Sequence, residues 1–526
     1  GTPAAKIEEW PARGLPLTHI FDFGLLPDFF TISLLDKVAL LSYSLKPMIE
    51  LEDNKEVESA AHSESLGADF GDVRLNARFS KTLCRFALRP MGSIPESNGD
   101  WASTKGTYRF LGNPQVTPKK ILAPHLRETI LRCQNSEDVL VLGDTTLIDF
   151  STRKETLGLG PLGGGGNTSD PRGLGLLCHT SFAVSASGIP LGVVKNELWS
   201  RDPEGYGKRK ERCRKLSIEE KESRKWLVTL KATKDLRKSL GEDQRAIAVF
   251  DREGDIYSVL GQALTQFKVD FLIRATFNRR VTTEGGYSKI WDLVATKKLG
   301  LLEVVVPRGR KQESRTARLT VYCSSVEIME PLKRAKGETS YGELTITALH
   351  VREESPPDGV KPLEWKLLTS LPVESVEEAA RVVDFYKRRW NIEQLFRILK
   401  SGCKIEKRQL QTADRLKNCI TMDLIVAWLV FYLTIVGRET PDIPCTVIFE
   451  DCEWQAVWIY HNKNHDHPKT PPSMREMTRM IGKLGGHLGR KGDGNPGSEA
   501  LWRGLQRLPD LSGMWCIFSD IAHPPE

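Results

Sequence analysis

The fold is decided by the stretch Asp384-Phe-Tyr-Lys-Arg-Arg-Trp-Asn-Ile-Glu-Gln-Leu-Phe-Arg-Ile-Leu-Lys400, which predicts a helix because it lacks glycine and proline and repeats apolar residues at helical spacing. At about 100° per residue, four of its polar side chains fall within an arc of roughly 60°. They are Tyr386, Arg389, Glu393 and Lys400. The neighbouring face is apolar, so a core-facing helix would carry these groups along its border. Taken alone, the row also fits a solvated edge on which Arg389 and Glu393 pair at i, i+4.

The composition describes an ordinary globular protein with room for two or three domains. The chain has 526 residues, of which 40% are hydrophobic and 27% are charged. Its net charge of +7 weakly favours a polyanionic partner. Residues 207–238 concentrate this charge, with 13 Lys and Arg against 5 Asp and Glu. Such a run usually forms an exposed basic helix, and that is the interpretation we give it.

Cysteine and histidine usage argues against a disulfide scaffold and against a zinc site. The ten cysteines include no Cys-x-x-Cys pair, which predicts reduced thiols in a cytoplasmic protein. His461, His465 and His467 could bind a metal, but a solvated loop is the expected structure there. The longest apolar run, residues 424–436, is 13 residues long, so we predict a buried core helix and no membrane partner. The N-terminus shows no signal-peptide pattern.

The N-terminal part divides into a segment of unclear role and a basic helical region. Residues 1–47 precede the first methionine, Met48, and are either an added leader or a genuine extension. Amphipathic helices are predicted over 72–88 and 100–111, and both carry several basic residues. Two such helices fit a small DNA-binding module or, equally well, an ordinary helical subdomain.

The middle of the chain predicts two buried strands that each end in an aspartate, at Asp144 and at Asp251. Two strands of a meander are predicted over 176–186 and 189–198, and another strand begins at Phe271. Residues from about 279 to 370 alternate apolar and polar residues and indicate a β-rich insertion. The tail predicts helical segments over 472–484 and 498–508.

A glycine-rich stretch at 158–166 formally contains G-x-G-x-x-G, but it is not a dinucleotide fingerprint. No helix pattern follows it, and Pro161 interrupts it. The chain also lacks the Gly-Lys-Ser/Thr of a nucleotide-binding P-loop at this place. We therefore expect a flexible loop.

Three carboxylates stand out once these elements are placed. Asp144 and Asp251 end buried strands, and Glu393 lies on the later helix. Hard divalent cations take oxygen ligands, and phosphodiester chemistry commonly uses two such ions held by carboxylates. Considered singly, each strand-end aspartate is more often a turn or cap residue.

Three motifs in the chain resemble those of the insertion-sequence-four family of bacterial transposases. The first is Tyr386-x2-Arg389-x3-Glu393-x6-Lys400, which is similar to the Tyr-Arg-Glu-Lys signature of the family. The others are Gly143-Asp144-Thr-Thr and Phe250-Asp251-Arg-Glu-Gly-Asp-Ile-Tyr257, which look like its two catalytic aspartate motifs. The resemblance runs from about Leu66 to the C-terminus. It does not cover residues 1–60, and the glycine loop after Gly163 is longer than in the family.

The resemblance implies an α/β fold with an RNase H-like catalytic core, a β-rich insertion, and helical N-terminal DNA-binding and C-terminal dimerisation regions. On this basis we expect an extension over 1–62 and a DNA-end-binding domain over 63–120. The catalytic domain would follow over 121–436, with its insertion at about 279–370. The dimerisation region would span 437–526.

The same resemblance implies cut-and-paste DNA transposition through a hairpin intermediate, with two Mg²⁺ or Mn²⁺ ions. Asp144, Asp251 and Glu393 would be the catalytic, metal-holding residues. Five further residues would contact DNA: Tyr386, Arg389 and Lys400 near the cleaved strand, Trp365 on a flipped base, and Trp390 as a second contact. The expected partners are double-stranded transposon ends, target DNA and a second copy of the chain in a synaptic complex. The expected location is the bacterial cytoplasm, at the nucleoid.

Two other functions remain open on the sequence. One is another RNase H-like nuclease, such as a resolvase or ribonuclease. The other is a catalytically silent, transposase-derived protein that binds DNA or inhibits active subunits. The intact carboxylate triad argues against the second, and a double-strand break restricted to specific DNA ends would separate transposase from nuclease.

Overall fold

A mixed sheet of 12 strands organises the computed structural model, which describes residues 60–163, 173–204, 216–306, 314–334, 338–463, 466–490 and 493–522. Along the sheet the strands lie in the order β2-β3-β1-β5-β6-β12-β11-β10-β7-β8, with β4 beside β3 and β9 beside β10. Their bounds are β1 Asp138–Asp149, β2 Gly160–Pro161, β3 Leu174–Ser185, β4 Pro190–Trp199, β5 Arg245–Phe250, β6 Asp270–Arg274, β7 Arg280–Thr283, β8 Gly286–Lys289, β9 Lys298–Val306, β10 Arg315–Ile328, β11 Leu344–Glu353 and β12 Glu364–Thr369. The predicted meander, β3 and β4, is confirmed.

Helices cover the sheet and form both ends of the chain that the structure describes. Their bounds are α1 Ala60–Ser63, α2 Val73–Leu88, α3 Ile94–Asn98, α4 Trp101–Leu111, α5 Pro118–Gln134, α6 Arg224–Arg237, α7 Tyr257–Gln262, α8 Ile290–Val294, α9 Val376–Arg388, α10 Trp390–Arg397, α11 Ala413–Glu439, α12 Asp451–Asn462, α13 Met474–Leu484, α14 Ser498–Leu505 and α15 Leu508–Ala522. The two basic N-terminal helices, α2 and α4, are confirmed. The exposed basic helix predicted over 207–238 is confirmed only in part, because α6 begins at Arg224 and buries Trp226 and Leu230. Residues 1–47 and 207–215 lie outside the described residues.

The predicted β-rich insertion is present, and it continues the central sheet instead of forming a separate layer. Strand β12 pairs antiparallel with β6, with Leu368 opposite Ile273. β12 then pairs with β11, and β11 with β10, so the later strands extend the same surface. The last strand of the insertion therefore joins the sheet directly beside the parallel strands β5 and β6.

The prediction that Asp144 ends its strand is wrong, because β1 continues to Asp149. Parallel pairing of β1 with β5 ends at Leu142, opposite Val249. Antiparallel pairing with β3 continues, from Asp144 opposite Thr180 to Asp149 opposite Gly175. By contrast, β5 does end at Phe250, and Asp251 follows it as the N-cap of a 3₁₀ turn.

The single helix predicted over 384–400 is built from three helical pieces. α9 begins earlier, at Val376, where Ser375 and Glu378 form a capping box. The α-helical pattern is interrupted at Arg389, whose backbone N–H bonds the Tyr386 carbonyl, and it resumes in α10. A π-helical turn, Ile398–Gly402, ends the segment. The chain remains helical through all three pieces, but the interruption shifts the side chains from the angular positions expected of one ideal helix.

The predicted buried core helix is confirmed as α11. This 27-residue helix is long and apolar enough to cross a membrane by length and composition, but 83% of its most apolar window is buried inside the protein. It packs against α5 and β4 on one side and against α13 and α14 on another. A helix that is apolar on all sides and buried in this way belongs to the core of a large protein.

The described tail contains four helices where the sequence predicted two. The predicted segment at 472–484 is α13, and the one at 498–508 is α14, which ends at Leu505. Helices α12 and α15 were missed. The solvated loop predicted for His461 is wrong, since this residue lies in α12 with Nε2 2.8 Å from the Met480 carbonyl oxygen.

Two smaller predictions concern the glycine stretch and the cysteines. Gly160 and Pro161 form the short strand β2 against β3, so this part is not a plain loop, while residues 164–172 lie outside the described residues. Within the described part of the chain, the cysteines form no disulfide, as their spacing predicted.

Candidate active site

Two adjacent parallel strands place Asp144 and Asp251 side by side. Leu142 on β1 is in register with Val249 on β5, where the parallel pairing ends, and Asp144 and Asp251 each lie two residues beyond this pair. Because side chains alternate across a strand, both carboxylates project to the same face of the sheet. Their charges interact, since the charge of Asp251 contributes to raising the pKa of Asp144.

The third predicted carboxylate, Glu393, approaches from the first turn of α10, and Arg389 lies between it and Asp144. Arg389 Nη2 is 2.5 Å from Glu393 Oε1, and Arg389 Nη1 is 3.5 Å from Asp144 Oδ2. The Arg389 side chain is only 13% exposed, against 21% for Asp144 and 32% for Glu393. One guanidinium therefore joins a strand carboxylate to a helix carboxylate.

Burial and mutual repulsion leave the two aspartates short of compensating charge. Burial, and after it the charge of Asp251, raises the pKa of Asp144 to about 7, although the Thr145 N–H and Arg389 act in the opposite direction. Burial also raises the pKa of Asp251, and the charge of Glu253 adds to the effect. Carboxylates in this condition favour a nearby cation or a proton.

The donor set fits a hard divalent cation, because all three side chains offer carboxylate oxygens and only one guanidinium lies among them. The carboxylates do not converge, however. Among the described residues, no group of three His, Cys, Asp or Glu side chains is arranged closely enough to hold a metal ion. Arg389 lies between Asp144 and Glu393 and pairs with both. The site thus contains suitable ligands for a divalent ion, but these ligands do not converge and an arginine lies between two of them.

Tyr386 lies on α9 just before the interruption at Arg389. It is 6% exposed, and burial raises the pKa of its phenol. Arg274, at the end of β6, lies beside the hydroxyl and opposes that shift. The sequence analysis placed Arg274 on a strand but gave it no role, and only the position of β6 beside β5 reveals it.

Lys400 lies apart from this group, within the π-helical turn. Its Nζ is 3.7 Å from Glu406 Oε1. Its charge partly offsets the rise in the pKa of the Cys178 thiol on β3 that burial causes. No ion pair links it to the three carboxylates in the described structure. Three residues of the predicted arc, Tyr386, Arg389 and Glu393, therefore lie together, and the fourth, Lys400, lies apart from them near β3.

Three family models match successive parts of the chain. "Transposase DNA-binding" matches residues 57–116, "Transposase DDE domain" matches 209–429, and "Transposase Tn5 dimerisation domain" matches 425–513. The chain belongs to the Tn5-type DDE transposases. The DDE match includes Asp251 and Glu393 but begins after Asp144, so the placement of Asp144 depends on its motif and on the geometry of the sheet.

Family membership makes this chain a metal-dependent nuclease and strand transferase with a DNA-binding domain and a dimerisation domain. It also agrees with the resemblance to the insertion-sequence-four family, and within it to the transposase of transposon five. The observed α/β fold, with an RNase H-like core between flanking helical regions, is the one expected of the transposase.

Both tryptophans that the sequence predicts to contact DNA lie in the part of the transposase that the structure describes. Trp365 on β12 is half-buried and projects to the same face as Leu367, which packs in the core cluster that contains Phe385 and Tyr386. Trp390 begins α10, and its indole N–H is buried with no hydrogen-bond partner among the described residues. The position of Trp365 fits a core residue and a base-stacking residue alike.

The sequence analysis missed a buried polar network behind the transposase's first aspartate. Thr145 Oγ1 is 2.9 Å from His179 Nδ1, and His179 Nε2 is 2.9 Å from Thr229 Oγ1 on α6. Burial lowers the pKa of His179 to about 3, so the ring is neutral. This chain of contacts fixes β1 against α6 next to Asp144. No sequence signal links residues so far apart.

Proposed function

We propose that this transposase moves DNA by cut and paste: it binds transposon ends, cleaves them through a hairpin intermediate and joins the 3′ ends to target DNA. The observation that carries the proposal is the grouping of Asp144, Asp251 and Glu393 around Arg389. Carboxylates from two neighbouring strands and one helix, with a guanidinium among them, suit phosphodiester chemistry.

Asp144, Asp251 and Glu393 are the proposed ligands of two Mg²⁺ or Mn²⁺ ions. Bound ions would supply Lewis-acid stabilisation of the attacking and leaving oxygens of a phosphoryl transfer. The protein's own contribution is to hold its carboxylates on rigid elements. β1 and β5 fix the two aspartates in register, and the first turn of α10 fixes Glu393.

Tyr386, Arg389 and Lys400 are the proposed phosphate contacts. The guanidinium of Arg389 can bond two phosphate oxygens at once, and the ammonium of Lys400 acts as a point charge. The phenol of Tyr386 stays protonated, because burial raises its pKa, so it can donate a hydrogen bond. Together these groups would hold the scissile strand beside the carboxylates.

Trp365 and Trp390 are the proposed base contacts of the hairpin step. For a 3′ hydroxyl to attack the opposite strand of the same end, the duplex must bend sharply and a base must unstack. Unstacking costs a few kcal/mol, and stacking on an indole returns about 1–3 kcal/mol. Trp365 is half-buried against the core cluster that contains Phe385 and Tyr386, and the indole N–H of Trp390 has no partner among the described residues.

The proposed active species is a homodimer that brings two ends together and then engages target DNA at the bacterial nucleoid. The domain bounds we propose are 63–120 for end binding, 121–436 for catalysis and 437–526 for dimerisation. Support comes from the order of the DNA-binding, DDE and dimerisation matches along the chain.

The proposal is tested by cleavage of duplexes that carry the inverted repeats flanking the coding sequence. Asp144→Ala, Asp251→Ala and Glu393→Ala should each slow Mg²⁺-dependent cleavage at least about a hundredfold, because each removes a proposed ligand. A gel-shift assay should show unchanged end binding. Asp384→Ala is the matched control, since this exposed residue lies on α9 and pairs only locally, with Lys387 and Arg388.

The outcomes separate the competing functions. Cleavage by an alanine variant at an appreciable fraction of the parental rate would overturn the assignment of the triad. Cleavage of nucleic acid without a double-strand break at the repeats would indicate another RNase H-like nuclease. End binding by the parental protein without metal-dependent cleavage would indicate a catalytically silent relative.

A further inference from the structure

Arg389 occupies a special place in the backbone as well as in the site. It is the one residue between α9 and α10, with φ −50° and ψ −31°, so its conformation stays helical while the hydrogen-bond pattern changes. Its N–H bonds the Tyr386 carbonyl three residues back, and its own carbonyl accepts from Ile392 three residues on. The tighter turns leave the side chain directed at the carboxylates.

The guanidinium performs in the DNA-free protein the electrostatic role expected of a cation. It bridges Asp144 and Glu393, and its charge also acts on Asp251. It is 13% exposed, so solvent screens these contacts only weakly. A second cation whose charge acts on Asp251, Lys225, is itself paired with Glu253 at 3.0 Å.

A divalent ion and this guanidinium compete for the same oxygens. Both need the lone pairs of Asp144 and Glu393, and two positive groups at one place repel each other. The oxygens of the three carboxylates do not converge in the described structure while Arg389 lies among them. Metal binding therefore requires that the arginine leave at least one carboxylate, and it needs another anion to go to.

We propose that Arg389 stands in for the metal ions in the DNA-free transposase and that a DNA phosphate draws it away, so metal and DNA bind cooperatively. This inference rests on the proposed function. A phosphate offers the same bidentate geometry as a carboxylate and can take the guanidinium as the strand enters the site. The DNA-free enzyme is thereby kept from forming a complete metal site.

Coupling of this kind is reciprocal. If bound DNA raises the affinity for Mn²⁺ by some factor, Mn²⁺ must raise the affinity for DNA by the same factor. We expect a factor on the order of ten or more, within the usual range for coupled sites. Removing the guanidinium should raise the Mn²⁺ affinity of the DNA-free protein and reduce the coupling factor towards one.

The test measures bound Mn²⁺ directly by electron paramagnetic resonance, with and without a pre-cleaved duplex that ends at the transferred 3′ hydroxyl. The variant is Arg389→Gln, which keeps hydrogen-bonding groups and removes the charge. Arg397→Gln is the matched control, because Arg397 lies on α10 but pairs with Glu499, outside the site, at 3.4 Å. DNA affinity is measured in parallel by fluorescence anisotropy, with and without Mn²⁺.

The expected result is about tenfold tighter Mn²⁺ binding by DNA-free Arg389→Gln than by the parental protein and Arg397→Gln. Equal Mn²⁺ affinity of DNA-free parental and Arg389→Gln proteins would overturn the inference. If Arg389→Gln unfolds, Arg389→Met, which also removes the charge and keeps an unbranched side chain, provides the second variant, and unchanged coupling in it would count equally against the inference. Failure of the parental protein to cleave its ends at all would contradict the proposed function instead.

Discussion

Replacing Asp144 by asparagine should stabilise the metal-free protein at pH 8, although it should abolish cleavage. In the native state the carboxylate is mostly buried and lies level with Asp251, and these effects raise its pKa to about 7. In the unfolded chain an aspartate has a pKa near its ordinary value of about 3.9. At pH 8 the folded protein must therefore hold the ionised Asp144 carboxylate in a buried site that destabilises the charge.

The magnitude follows from the pKa difference. About three pKa units, at about 1.4 kcal/mol each, correspond to roughly 4 kcal/mol against the folded state when the group is ionised in both states. Asparagine keeps an acceptor for the Thr145 N–H but loses the 3.5 Å ion pair with Arg389. We therefore expect a net gain of about 2–4 kcal/mol, which is roughly 2–4 °C at about 1 °C per kcal/mol for a chain of this length.

The pH dependence has a definite sign. Below about pH 4 the parental carboxyl is protonated in both states, so the two proteins should be equally stable. As pH rises from about 4 to 7, the unfolded parental chain loses this proton first, and the parental protein loses stability relative to the variant. Above about pH 7 the difference should be constant.

The assay is thermal unfolding in EDTA, followed by circular dichroism at pH 5 and pH 8. Asp384→Asn serves as the control, because this half-exposed surface carboxylate should change the midpoint little at either pH. An Asp144→Asn protein no more stable than the parent at pH 8 would refute the claim that burial and Asp251 disfavour the charge.

Three further predictions concern other parts of the chain. Trp365→Ala should nick ends normally but form hairpins slowly, with partial rescue when the flipped base is replaced by an abasic site. Equal loss of both steps would show that Trp365 is a structural core residue. Ile517→Asp and Phe518→Asp, at side chains 59% and 54% exposed on α15, should leave single-end binding intact and prevent paired-end complexes in gel shifts. Normal pairing by both variants would exclude α15 from the dimer contact. A protein that begins at Met48 should cleave ends at a similar rate, and a large loss of folding or activity would show that residues 1–47 are integral.

The structure also changes how dimerisation should be probed. From the sequence alone, dimerisation would be tested with a protein truncated after Arg438, since the tail carries none of the three carboxylates. In the structure, however, α11 packs against α13 and α14, and the Cβ position of Gly437 would lie 2.6 Å from the Thr478 side chain. Such a truncation would expose the core helix to water. Substitutions on the exposed apolar side chains of α15 avoid this problem.

Local sequence predicted those features that depend on neighbouring residues. The run before Asp251 is short, apolar and followed by turn-forming residues, so its strand ends where predicted. The run before Asp144 looks the same, but its strand continues because β3 is long enough to pair with it as far as Gly175. Strand length at Asp144 is set by a partner some 30 residues away, and no local pattern carries that information.

The same limit explains the arginine and the missed tail helices. Helical spacing placed Arg389 and Glu393 on one edge and allowed their pairing, which the structure contains. It could not place Asp144 within reach of that edge, because this depends on how α10 packs over β1. Helix α12 was missed because its apolar residues form a continuous run, Ala456–Tyr460, without a clear helical period, so its buried side becomes clear only against α13 and α15.

The instability at Asp144 and the proposed coupling at Arg389 have one physical origin. Three carboxylates held on rigid elements in a partly buried site repel one another, and a bound cation relieves that repulsion. If the protein provided enough permanent positive charge, the site would be stable but would have no affinity left for divalent ions. A single arginine on a helix junction offsets part of the charge and can still be drawn to another anion. Because DNA can compete for this arginine, the affinity of the site for metal ions depends on whether substrate DNA is bound.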